Sequence, residues 1–185
     1  MRQLILTVLG MMSIQLATAQ IPEKWVQHTV SNILDISVEQ YWEFREQVNL
    51  ESIANNAKYQ DLPKIEKTTA VKGDFKKAGD SRRVHFASGE TLLETILVSD
   101  GEKVFAYELT EVELPLKRAA HRARGMFELE PLENGQTKIT WTYGFDQKNF
   151  LTKSILKRYV KRTHQHWMTD TLAETKRQME LLARK

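Results

Sequence analysis

LTKSILKRYVKRTHQHWMTDTLAETKRQMELL, residues 151–182, reads as one unbroken helix. Leu156, Val160, Thr163, Trp167, Thr171, Leu172, Thr175, Met179 and Leu182 recur at helical spacing, with Lys153, Lys157, Lys161, Glu174 and Arg177 on the other faces. At about 1.5 Å per residue, some thirty residues reach about 45 Å, enough to cross a whole sheet. Immediately before it, Ile65–Val71, Arg82–Ala87, Thr91–Ser99, Val104–Glu111, Ala119–Glu130 and Thr137–Phe145 read as six strands. Their turns are built on Gly73, Gly89, Gly101 and Asn134-Gly135, the last a strong hairpin signal, and Leu114-Pro115-Leu116 makes one longer connection. Strands joined by hairpin turns pair antiparallel.

Upstream, Trp25–Leu34 carries the β-branched pattern of a first strand. Ser37 and Gln40 form a capping box that starts a helix with Val38, Tyr41, Trp42, Phe44 and Val48 as its apolar stripe. A second short helix over Leu50–Ala57 is capped by Asn49 and ends before Pro63. The expected class is α+β: a curved seven-stranded antiparallel sheet round one long C-terminal helix, with two short helices after strand 1. A curved sheet facing one helix encloses a space, and such a space suits an apolar small molecule.

Residues 1–19 stand apart. Arg2, the apolar run Leu4–Leu16 and Ala17-Thr18-Ala19 before Gln20 make the pattern of a cleaved secretory signal, and the apolar run is shorter than the roughly 20 residues a bilayer requires. The expectation is an exported mature chain, periplasmic or secreted, with residues 20–185 as a single domain. Losing Arg2 takes 27 basic residues to 26 against 24 acidic, and the formal charge from +3 to +2. So mild a balance, with export, argues against nucleic acid as a partner. The chain has no cysteine, which excludes disulfides, thiol nucleophiles and cysteine-ligated metals.

Leu34-Asp35-Ile36-Ser37-Val38-Glu39-Gln40-Tyr41-Trp42 resembles the I-D-A-P-x-E-x-V-W lead-in to the first helix of the START-like, helix-grip superfamily (SRPBCC). The polyketide cyclase/dehydrase and lipid-transport branch is the nearest likeness. Gly79 with Arg82-Arg83-Val84, Gly89 with Glu94, and Tyr107 are similar to its G-x-x-R-x-V…G…E…Y strands. Leu114-Pro115 and Gly135-Gln136-Thr137-Lys138-Ile139-Thr140-Trp141 resemble its L-P and G-x-T-x-V-T-W signatures. Ile36-Ser37 departs from the usual Ala-Pro, and Asn49–Asp61 is long for a segment at the cavity mouth. The resemblance implies a helix-grip fold and a hydrophobic ligand (lipid, isoprenoid or polyketide-like). The superfamily hosts carriers, cyclases, hydrolases and oxygenase subunits, so fold alone assigns no activity.

Strand alternation decides which side chains face the helix. It sets Phe105, Tyr107 and Leu109 on one face, Ile139, Trp141, Tyr143 and Phe145 on another, and His121 with Ala123, Phe127 and Leu129. Arg82 shares a face with Val84 and Phe86, and Glu94 with Leu92, Ile96 and Val98. Arg82, Glu94, Tyr107, His121, Trp141, Tyr143 and Trp167 are the expected ligand-binding residues, a few polar groups in an apolar pocket. Arg82 and Glu94 read either as a ligand-orienting pair or as a cross-strand pair that stabilises the sheet. Glu94, His121 and Tyr107 are the candidates for moving a proton if the domain is instead a cyclase or dehydratase. His164 and His166 project about 200° apart on a helix and cannot share a metal, and neither a metal nor a cofactor is expected. Nor is there a glycine-rich phosphate loop or a G-x-S-x-G elbow. The aromatic set Trp42, Tyr59, Trp141, Tyr143 and Trp167 reads first as core, with Trp167 the best candidate for a cavity wall. The basic run Lys157–Arg162 reads as a solvated face, with a weak peripheral contact with membrane lipids as the sharper alternative.

Overall fold

A computed structural model describes residues 20–57 and 62–184; the expected leader over residues 1–19 and Tyr59 lie outside them. The chain runs β1 (Val26–Leu34), α1 (Val38–Arg45), α2 (Leu50–Asn56), β2 (Ile65–Lys72), β3 (Ser81–Phe86), β4 (Thr91–Ser99), β5 (Val104–Thr110), β6 (Ala120–Pro131) and β7 (Thr137–Gln147). One long helix ends it: α3 (Phe150–Tyr159), a π turn (Val160–His164) and α4 (Gln165–Leu182). The seven strands form one antiparallel sheet in the order β1-β7-β6-β5-β4-β3-β2. Only β1 is out of sequence. The α1–α2 segment carries the chain across from β1 to the opposite edge, where β2 begins.

Local chemistry sets the helix starts. The Ser37 hydroxyl accepts from the Gln40 amide at 3.3 Å, and the Gln40 carbonyl oxygen accepts from the Ser37 amide at 3.0 Å. Asn49 caps α2 through the Ser52 amide at 2.7 Å. The Asn55 side chain then joins α2 to the start of β2, bonding both the N–H and the C=O of Ile65 at 2.9 and 2.7 Å.

The long helix departs from one uniform α-helix. Its buried residues Leu156, Val160, His164, Met168 and Leu172 recur every four positions. In a 3.6-residue helix each such step drifts the stripe by about 40°. The wider π turn at Val160–His164 takes up that drift and keeps the stripe on the sheet. It also turns His164 inward, at 4% exposed, where the sequence spacing places Thr163.

Two bulges change which residues face the helix. Pairing of β6 with β7 slips between Ala120 and Ala123, so Ala120 and Ala123 are both buried and His121 is turned out to solvent. The expected inward position of His121 is therefore corrected. Between Ile96 and Val98 a second slip moves Val98 off Glu94's face; it pairs with Ala106 and clusters with Val104 on the opposite side. Elsewhere the alternation holds: Phe105, Tyr107, Ile139, Trp141, Tyr143 and Phe145 are all buried.

Gly125 sits opposite Tyr107 in the β5–β6 pairing, and a Cβ there would run into the Tyr107 ring. The missing side chain is what allows the phenol to lie flat across the sheet. Gly125→Ala is expected to destabilise the fold by about 1–3 kcal/mol through overpacking. Urea denaturation measures this directly, and an unchanged midpoint would contradict the stated packing.

Candidate functional site

The inner face of the sheet is not filled by the helix. The long helix lies against β1 and β7. Opposite β3, β4 and β5 the space between sheet and helix stays open as two adjoining lobes, of about 140 and 360 Å³. Leu50, Glu94, Tyr107 and Trp167 line both lobes and form the waist between them.

The smaller lobe is apolar. Val84, Phe86, Leu92, Leu109, Leu114 and Leu116 supply its surface from the sheet and the β5–β6 connection, with Tyr143, Tyr159 and His164 at the far wall. The larger lobe is mixed: Tyr41 and Arg45 from α1, Phe75 and Lys76 from the β2–β3 loop, Arg82, Trp141, Thr171 and Thr175. Six of the seven sequence-predicted residues, Arg82, Glu94, Tyr107, Trp141, Tyr143 and Trp167, therefore line these two adjoining lobes. His121 is the exception, in a shallow exposed notch with Glu111, Glu113 and Lys148.

Arg82 and Glu94 are register partners on β3 and β4, and Arg82 Nε donates to Glu94 Oε2 at 2.7 Å. The guanidinium also lies 3.9 Å from the centre of the Phe75 ring. Phe75 gets there because the β2–β3 loop is folded on Asp80, whose Oδ2 accepts from the amides of Lys76 and Lys77 at 3.1 and 3.2 Å. An exposed Lys76–Glu46 ion pair at 2.9 Å links this loop to the end of α1 across the rim of the larger lobe. Burial, and the nearby Glu94 charge, push the Tyr107 phenol well above its usual range. Burial also raises Tyr143, with Tyr107 adding to the effect. Both phenols are neutral donors at physiological pH.

Three polar residues at the site escape the sequence reading. His28 on β1 and His164 on the π turn meet with Nε2 and Nδ1 3.0 Å apart. Burial lowers His28 to about 4; burial and then the His28 charge hold His164 well below its ordinary range. The pair is thus neutral at pH 7, one ring donating to the other. Aromatic rings surround His164: Tyr143 at 4.5 Å, Phe145 at 5.1 Å and Trp167 at 5.2 Å between centroids. Alternation with Val26 and Val30 was the available signal for His28; for His164 it was four-residue spacing from Val160 and Met168. His166, two residues on, is exposed. Arg45 is the third. Its guanidinium sits 3.8 Å from the Phe105 ring centre, four residues after the buried Tyr41. Among the described residues no group of three or more His, Asp or Glu side chains could hold a metal ion.

This arrangement, a long helix gripped by a curved antiparallel sheet with a space between, recurs in solved structures. A protein from Thermus thermophilus superposes with a TM-score of 0.60 at 14% identity, over 86% of this chain and 99% of that one. The Zhui aromatase/cyclase from Streptomyces sp. R1128 gives 0.56 at 14% identity, over 82% and 93%. Ara h 8.0201 gives 0.53 at 13% identity, over 80% and 97%. The fold is a helix grip. No family profile matches the sequence, and no curated protein matches it. At these identities the likeness concerns architecture, and the site rests on the residues above.

The histidine pair makes stability depend on pH. Its folded pKa values lie below 6.5, so below that pH the unfolded chain binds more protons and stability falls as pH drops from 6.5 towards 4. Replacing both His28 and His164 by Gln should flatten this slope. Denaturation midpoints across the window give the answer, and an undiminished slope in the double variant would assign the acid sensitivity to other groups.

Proposed function

We propose that the protein is an exported carrier that holds a hydrophobic small molecule across both lobes, between the sheet and the C-terminal helix. The observation that carries this reading is the waist at Glu94, Tyr107 and Trp167. Around it the core is closed, with Phe145, Ile139, Leu156, Met168 and Leu172 each at most 2% exposed, yet the face of β3–β5 keeps an open, largely apolar space. Apolar burial at about 25 cal/mol per Å² would drive uptake. Arg82, Glu94 and Tyr107 would hold a polar end. Export rests on the leader-like residues 1–19.

The α3 surface supports loading at a membrane. Phe150, Leu151 and Ile155 are 79%, 63% and 60% exposed, more than isolated surface apolar residues need be. They share an outward face with Lys157, Arg158 and Lys161, and from Lys148 to Arg162 there are six basic residues and no acidic one. Apolar side chains set among lysines and arginines suit the headgroup region of an anionic bilayer. The nearest lobe is the apolar one, reached through Tyr159. Among the described residues no helix is long and apolar enough to cross a membrane.

A second reading, an enzyme of the cyclase type acting on a hydrophobic carbonyl compound, is favoured by one observation. His164 of the neutral His28–His164 pair lines the apolar lobe, where an imidazole nitrogen could accept a proton. Solvent exposure removes His121 from that role, and the raised phenol of Tyr107 suits hydrogen-bond donation.

Nile red, a neutral apolar dye, should gain fluorescence on binding the carrier. Sedimentation with vesicles of mixed neutral and anionic phospholipid should capture the protein, and the triple variant Phe150→Ser, Leu151→Ser, Ile155→Ser should lose most of that capture while still binding dye. Raised salt should weaken capture further. A triple variant that sediments like the wild type would remove α3 as the contact.

A further inference from the structure

The larger lobe holds one cation whose hydrogen-bond donors no described side chain uses. Of the charged groups on its lining, Lys76 pairs with Glu46 at the rim and Arg82 pairs with Glu94 inside. Asp74 is exposed at the rim beside Lys76. Arg45 is left. It lies within electrostatic reach of Arg82, Glu94 and Glu46, and both carboxylates are paired with other cations, Glu94 with Arg82 and Glu46 with Lys76. The structure gives Arg45 cation–π contacts, 3.8 Å from the Phe105 ring centre and 5.6 Å from that of Trp42, but among the described residues its side chain has no hydrogen bond and no ion pair. Burial and the neighbouring Arg82 lower its pKa, signs that the charge is poorly solvated where it stands. On the lining of the same lobe the Thr171 hydroxyl, on a residue 5% exposed, has no hydrogen-bond partner among the described residues.

A cation held on aromatic faces, with its fork of donors unused and an unpartnered hydroxyl in the same lobe, makes a receptor for an oxyanion. The apolar lobe opens directly from it through the Tyr107–Trp167 waist. We infer that the ligand is an amphiphile with one anionic head group, a carboxylate or a phosphate monoester, bound by Arg45 in the larger lobe with its apolar body passing the waist towards His164. The inference rests on the carrier reading and narrows it: a wholly apolar ligand would leave the donors of the half-buried Arg45 unused. It also explains the second guanidinium. Arg82 is held by Glu94 and fixes the wall, leaving Arg45 for the ligand.

The test is displacement of Nile red by dodecanoate, dodecyl phosphate and dodecanol, which share one chain and differ in the head. At least one of the two anions should bind about tenfold or more tighter than the alcohol, the gain expected of one charged hydrogen-bonded pair. Arg45→Met should abolish that preference and leave dodecanol within about twofold, and Arg45→Lys should restore part of it. The more strongly preferred anion identifies the head group. Thermal melts confirm that each variant is folded, and the wild-type comparison stands without them. Equal affinity for anions and alcohol would overturn the anionic head while leaving the carrier reading intact. Failure of the dye to bind at all would overturn both.

Discussion

The long helix rests against β1 and β7, at one side of the sheet, and the other side meets only the short helix α2. Everything functional follows from that offset. A β-sheet's inner face must lose its apolar surface to some partner. Here β3, β4 and β5 curl over α4 without touching it along their length, and α2 closes only part of the gap. The unmet demand becomes a cavity, lined by the side chains a core would otherwise consume. Trp167 from the helix and Tyr107 from the sheet line both of its lobes.

Two local devices keep that geometry in place. The π turn holds the four-residue stripe of α3 and α4 on the sheet and sets His164 against His28. Gly125 lets Tyr107 lie across β6, which brings its phenol to the Trp141 side chain on β7. On the outer face Trp25 and Ile21 cover Gly144, and the Arg122 and Arg124 guanidiniums lie 5.5 and 5.4 Å from the Trp25 ring centre. Arg124 also pairs with Glu108 at 2.8 Å. The first described residues are thus fixed on the side away from the cavity, which leaves its rim to α1, α2 and the β2–β3 loop.

Most of this architecture was legible because its causes are local. Ser37, Gln40 and Asn49 announce the helix starts through short-range hydrogen bonds, and Asn134-Gly135 and the other glycines announce the turns. Alternation put Arg82, Glu94, Tyr107, Trp141 and Tyr143 on the right face. Where it failed, at His121 and Val98, a bulge inserted one residue into the pairing, and a bulge depends on the partner strand. Thr163 stood in for His164 for a similar reason: a regular 3.6-residue helix takes no account of a π turn imposed by the sheet. Arg45 was missed because a basic residue in a helix's last turn is ordinarily a surface residue. Only the tertiary structure brings Phe105 beneath it.

The central claim is that the space between β3–β5 and α4 is occupied by a ligand in the working protein. Native mass spectrometry of the protein, gently purified from its own cells and followed by organic extraction, addresses it most directly. The account predicts a bound molecule of defined mass, extractable into organic solvent and carrying an acidic group. A chain at its bare mass that also fails to bind an apolar dye would mean that the sheet closes onto the helix and that the cavity has no part in the function.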